Sequence, residues 1–200
     1  MTLKVIRSEN EFTDNSSKGS FFSENKLKIQ KFILKGNNIS KNLKLIGDLL
    51  TDICKEGKSN QGKKLILIKP FIMKKIPDIN LYDYIERLAK YSKVSDEVFI
   101  LVLIYIDRIC GLHKINLNYF NIYKLIIASF ITSIKYLDDT YYSMKFYSKL
   151  GGVTKKELIN LEYEFLKLLD FKLFVGDDIY GKYKSNLNNL EDEYEDDSDK

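Results

Sequence analysis

FILVLIYI, residues 99–106, places eight apolar side chains in a row. Periodicity alone cannot separate a buried strand from a buried helix in such a run. Length and flanks decide: the apolar pattern continues through Ile109 and Cys110 and ends at Gly111, and about 16 residues suit a helix. Ser95 stands ahead of it as an N-cap, followed by Asp96 and Glu97, where the positive end of the helix dipole favours acids. A helix apolar all round must be enclosed by others. The same reading applies to LIIASFITSI, residues 125–134, in which Ala128, Ser129 and Ser133 are small enough for close helix approach.

Two enclosed helices predict an all-α bundle, and the neighbouring segments supply its outer members. Leu81, Tyr84, Ile85, Leu88 and Tyr91 trace one face of a helix that follows Pro77, with Asp83, Glu86, Arg87 and Lys90 opposite. Asp139 reads as the N-cap of a short helix from Tyr141 to Leu150, stopped by Gly151 and Gly152. Thr154 and Glu157 form a T-x-x-E capping box ahead of the stripe Leu158, Leu161, Phe165 and Leu168. Five helices thus fall between about 80 and 170.

Before them, Ser40 caps a further helix with the stripe Leu43, Ile46, Leu49, Leu50 and Ile53, and Gly57 marks its stop. The chain divides into a largely disordered segment 1–38 with one short helix over 25–34, an accessory helix and linker 39–75, the five-helix unit 76–175, and a disordered acidic tail 176–200.

Composition is that of a packed soluble protein, with 44 % apolar and 30 % charged residues. The last ten residues, EDEYEDDSDK, carry seven acids and one lysine. The remainder is basic by about ten charges, which raises a nucleic-acid-binding or transcription-associated alternative. Its lysines are scattered, with only two or three arginines in the helical unit, so nucleic acid is not the expected partner. Cys54 and Cys110 make no disulfide framework, and neither a signal-peptide core nor an 18-residue apolar span occurs, so an intracellular protein of nucleus or cytoplasm is expected, without a membrane partner.

An enzyme site is not legible. His113, the one histidine, lacks metal-spaced partners and reads as a solvated loop residue. No phosphate-cradling glycine loop, nucleophile elbow or kinase signature is present, so no cofactor and no small-molecule substrate are expected. Glu162 and Glu164, two apart on a helix, point to different sides and cannot form a compact acid/base pair.

Four phrases in order carry a family likeness: YIERLAKYSKVSDEVF (84–99), LIYIDRI (103–109), SIKYLDDTYYSMKFYSKLGG (133–152) and LEYEFLKLLDFKLFV (161–175). Together they resemble a single cyclin box of the P-type (U-type) group named for phosphate regulation, over roughly half the chain. The resemblance implies a non-catalytic regulatory subunit that binds a cyclin-dependent kinase as a heterodimer and switches it on by positioning its C-helix; a non-activating helical scaffold is the alternative beside the nucleic-acid-associated one. In cyclin boxes a lysine near the end of the third helix and a glutamate in the fifth hydrogen-bond the kinase backbone. The matching residues here are Lys135 and Glu162.

Around that pair, Ile131, Leu137, Tyr141, Phe165, Leu166 and Leu169 are candidates for a partner groove, with Asp138 and Asp139 beside it. By charge alone, Lys135 and Glu162 could equally pair with each other or with solvent. Asp107 of the YIDR phrase reads as structural, because a carboxylate following eight apolar residues needs a partner. Two family features are missing: the M-R-A-I-L docking phrase with its tryptophan, where this chain has LYDYIERLAKY, and a second box, for which 29 residues after Phe171 are too few.

Overall fold

The computed structural model describes residues 39–59 and 69–185. The short helix expected over 25–34 and the end of the acidic tail lie outside those residues. Helix α1 (Ile39–Ser59), a 3-10 turn (Lys69–Phe71), and helices α2 (Leu81–Ser92), α3 (Asp96–His113), α4 (Ile122–Leu137), α5 (Met144–Gly151) and α6 (Lys155–Leu168) follow in order. No strand occurs among the described residues, so the all-α expectation holds. No described helix is long and apolar enough to cross a membrane.

The pair α3/α4 forms the centre of the bundle. Every residue from Val98 to Asp107 is buried, and so is every residue from Leu125 to Ile134. The small residues of α4 act as anticipated: Ser129 Oγ donates to the Val102 carbonyl of α3 at 3.1 Å, and Ala128 is fully buried. The Phe99 and Phe130 rings meet at 5.3 Å between centroids. Around this centre, α6 packs on α4 and α5, while α2 packs on α1.

All five stripe residues of α1 are buried in the common core. The helix runs through Gly57 to Ser59, because glycine in a helix costs only about 1 kcal/mol and does not by itself end it. A different glycine matters more. A Cβ at Gly47 would sit 2.8 Å from Tyr82 Cα, so the absence of a side chain lets α1 lie against the backbone of α2. Replacing Gly47 by Ala should force the helices apart and cost about 1–3 kcal/mol, read as a lower urea midpoint at unchanged m. A Gly47→Ala chain as stable as the parent would show that the crossing is not tight.

The caps differ in detail from their sequence reading. Ser143, not Asp139, caps α5, its Oγ accepting from the Phe146 amide at 3.3 Å, and the helix opens at Met144 rather than Tyr141. The reason is aromatic: Tyr142 stacks on Phe146 at 4.4 Å and its amide donates to the Tyr147 hydroxyl, which holds the chain extended up to Ser143. Asp138 instead closes α4, its amide donating to the Ile134 carbonyl at 2.8 Å. Ser95 holds the N-cap backbone geometry of α3 without a capping hydrogen bond. Hydrogen bonds to the Glu97 carboxylate, first from its own backbone amide and then from Ser95, hold it below the usual carboxylate range. Only half of the expected capping box forms: Thr154 Oγ1 accepts from the Glu157 amide at 3.1 Å, while the Glu157 carboxylate pairs with Lys124 Nζ at 2.8 Å. Lys124 also donates to the carbonyls of Pro70 and Ile72, tying the 3-10 turn to α4 and α6.

His113 is half-buried and helical rather than a solvated loop residue. It closes α3, and its Nε2 donates to the Leu168 carbonyl of α6 at 2.8 Å, satisfying one of the acceptors that a helix C-terminus leaves open.

Candidate functional site

Lys135 sits in the last turn of α4 and Glu162 in the middle of α6, and the packing of these two helices brings the side chains together. Lys135 Nζ lies 2.7 Å from Glu162 Oε1 and 2.9 Å from Oε2, so one ammonium spans both carboxylate oxygens. The side chains are 32 % and 12 % exposed, which puts the pair at a rim, bordered by core and open to solvent on one side. Of the two arrangements open to the sequence, mutual pairing is the one adopted within this chain. Glu164 points away to Lys167 at 3.3 Å, as the two-residue offset required.

The apolar residues nominated for a groove separate into two layers. Ile131, Phe165 and Leu169 are buried and cannot line a surface; Phe165 meets Phe71 edge-to-face at 6.3 Å. This is a correction to their assignment, and its cause is register: Ile131 and Phe165 lie on the inward faces of α4 and α6, and Leu169 is the buried C-cap of α6. Leu166 is half-buried, Leu137 and Tyr141 are exposed, Asp139 is exposed and Asp138 is partly so. Tyr136 and Tyr142 are exposed as well, so the end of α4 and the loop after it carry four large apolar side chains beside Lys135.

The sequence reading missed Phe171 and Phe174, which are 60 % and 78 % exposed. They follow α6 in a segment whose backbone is unusual: Asp170 and Phe171 both hold positive φ, 52° and 56°. For residues with a Cβ that conformation costs roughly 1–2 kcal/mol each. It is kept by hydrogen bonds from the Asp170 amide to Lys167 O and the Phe171 amide to Leu166 O, which finish α6 without a glycine.

Polar residues of α3 then catch the chain beyond. Tyr105 OH donates to Leu173 O at 2.8 Å, and Arg108 donates to Lys172 O and Phe174 O at 2.6 and 3.2 Å. Burial, and secondarily its neighbour Tyr136, pushes the Tyr105 phenol above its ordinary range.

Asp107, read as structural, accepts from the hydroxyl of Tyr183. Tyr183 belongs to residues 177–185, which are helical, where the sequence reading had put the start of a disordered tail. A signal existed: Ile179, Tyr180 and Tyr183 share one face, and all three pack on the core.

The sequence matches the family model Cyclin over residues 4–173. The chain belongs to the cyclin family. Among curated proteins, this cyclin is 33 % identical over 118 residues to Cyclin-U2-1 of Arabidopsis thaliana, an alignment covering 58 % of this chain and 53 % of that protein. It is 37 % identical over 112 residues to Cyclin-U4-1 of Arabidopsis thaliana, covering 56 % and 55 %. It is 32 % identical over 153 residues to PHO85 cyclin-7 of Saccharomyces cerevisiae, covering 70 % and 54 %. The likeness to U-type and PHO85 cyclins supports the P/U-type assignment made on the four phrases. This cyclin spans about half the length of the curated relatives it matches. The family match starts at residue 4, so it takes in α1 as well as the five helices after it.

Proposed function

We propose that this chain is the regulatory, non-catalytic subunit of a cyclin-dependent protein kinase, holding the kinase's C-helix in its active position through the face built on Lys135 and Glu162. The observation that carries the reading is the bidentate contact between those two side chains at a half-open rim, next to the exposed Leu137, Tyr141 and neighbours. An ammonium can donate to a partner's carbonyls and a carboxylate can accept from its amides, so the pair can exchange its mutual bonds for bonds to a partner main chain. The names of relatives such as PHO85 cyclin-7 support the same reading.

In this proposal Lys135, Glu162, Asp138, Asp139, Tyr141 and Leu166 meet the kinase, while Ile131 and Phe165 shape the face from beneath. Residues 76–175 make up the box and 39–75 its accessory helix and linker. Activation is a shift in population: the subunit binds only the arrangement in which the kinase's own Lys–Glu pair is closed, and its differential affinity sets the extent.

The test is a pull-down from the native cell, followed by assay of the recovered kinase with and without this chain. A cyclin-dependent kinase among the partners, more active when the chain is added, is the expected result. Recovery of no such kinase, or of one indifferent to the chain, overturns the proposal.

A further inference from the structure

Bonds from Lys135 and Glu162 to a partner's main chain meet amides and carbonyls that every kinase offers. Such a pair holds a partner without telling one kinase from another, so discrimination has to come from side chains beside it. Helix α6 presents such side chains on the face that carries Glu162. A surface helix ordinarily turns polar groups outward. On α6, at about 100° per residue, Ile159, Glu162, Tyr163 and Leu166 instead fall within an arc of about 100°, spaced i, i+3, i+4 and i+7. Ile159 and Tyr163 are 47 % and 55 % exposed and Leu166 is half-buried, whereas Leu158, Leu161 and Phe165 of the same helix are buried in the bundle. Helix α6 thus has two apolar faces, and among the described residues only the inner one is covered, by α4, α5 and the 3-10 turn.

We infer that Ile159 and Tyr163 are specificity-determining residues for the kinase: the stripe they form with Leu166 receives apolar side chains of the kinase's C-helix while Lys135 and Glu162 hold its main chain. This rests on the kinase-binding reading above. Continuity names the occupant. Glu162 belongs both to the stripe and to the pair, and its partner Lys135 is followed on α4 by the exposed Tyr136 and Leu137. A segment bonded to the pair therefore has exposed apolar side chains beside it on both helices. Two turns of stripe, about 10 Å long, suit an amphipathic helix that offers its own i, i+3, i+4 and i+7 positions. Lys155, one turn ahead of Ile159, is the one cation on the arc, so the stripe is poor in charge, as the centre of an interface is. The Tyr163 ring is also set in advance. Lys167 Nζ stands 5.3 Å from its centroid and is itself bound to Glu164 at 3.3 Å, outside the arc. A ring already oriented loses less freedom when a partner covers it.

The experiment uses the full chain, the kinase recovered with it and a second cyclin-dependent kinase of the same cell, all purified, and reads affinity for each alongside thermal midpoint. Ile159→Ala/Tyr163→Ala should bind the recovered kinase about 30-fold or more weakly, the scale of losing an aromatic anchor at an interface. Its preference for that kinase over the second should fall about tenfold, with the midpoint unmoved because both side chains stand largely outside the core. Tyr163→Phe, which keeps the ring, should stay within about threefold of the parent. Asn160→Ala, exposed on α6 but outside the arc, should bind both kinases like the parent. An Ile159→Ala/Tyr163→Ala chain with the parent's affinity or the parent's preference overturns the inference, and so does equal weakening by Asn160→Ala. Parental affinity together with lost self-association in sedimentation would give the stripe to a second copy of this chain and overturn it too. Lys135→Ala/Glu162→Ala separates the two readings. If that variant binds like the parent, the kinase face itself is wrong and the inference falls with it; if it loses both kinases while Ile159→Ala/Tyr163→Ala keeps affinity and preference, only the assignment of the stripe falls.

Discussion

Exchanging the charges, Lys135→Glu together with Glu162→Lys, should leave the fold intact and abolish partner binding. The rim pair would re-form with opposite polarity, and because such pairs contribute only about 0–1 kcal/mol when partly exposed, the thermal midpoint should barely move. A kinase backbone approaching that rim would meet a donor where it offers amides and an acceptor where it offers carbonyls. Truncating one member of an interfacial charged contact costs about 2–5 kcal/mol, so each alanine variant should weaken binding by about 30-fold or more, and the exchanged chain by at least as much. Calorimetric titration and circular dichroism on the same samples make the comparison. Retained affinity in the exchanged chain would reduce the pair to a strut between α4 and α6.

Phe165→Ala should produce the converse pattern. Its ring is fully buried against Phe71 at the meeting of α6 and the 3-10 turn, so removal costs about 3–5 kcal/mol through lost burial and the cavity left behind. Denaturant unfolding should show a markedly lower midpoint. Affinity for the kinase, measured well below the unfolding transition, should stay within about threefold of the parent, since the side chain has no exposed surface to offer. Lost affinity with unchanged stability would mean that Phe165 contacts the partner and that the core rearranges on binding.

How legible all this was in the sequence depended on whether the answer was periodic or spatial. The α1 stripe, the enclosed α3 and α4, and the five-helix count all follow from the recurrence of apolar residues, and each is found buried as read. The contact of Lys135 with Glu162 joins positions 27 apart, and family phrases singled them out where helix periodicity left pairing and solvent exposure equally open. Phe165 shows the limit: a stripe residue is core by period, yet its proximity to Glu162 in sequence also suggested a groove, and only the crossing of α6 over α4 decides between them. The start of α5 moved from Asp139 to Ser143 because ring contacts of Tyr142 outweigh a cap of good intrinsic propensity. Helix 177–185 was hidden by its acidic start at Asp177 and Asp178 and by a partner, Asp107, 76 residues away in the chain.

The anchors at 172–174 have a consequence for how such a face can diverge. Tyr105 and Arg108 grip main-chain carbonyl oxygens, which every amino acid supplies. The grip is therefore indifferent to which side chains stand at 172 and 174, both exposed, while Leu173 also packs its side chain on the core. Lys172 and Phe174 can be exchanged, by drift or by design, without loosening those bonds, so the surface they present can change while the scaffold beneath stays the same.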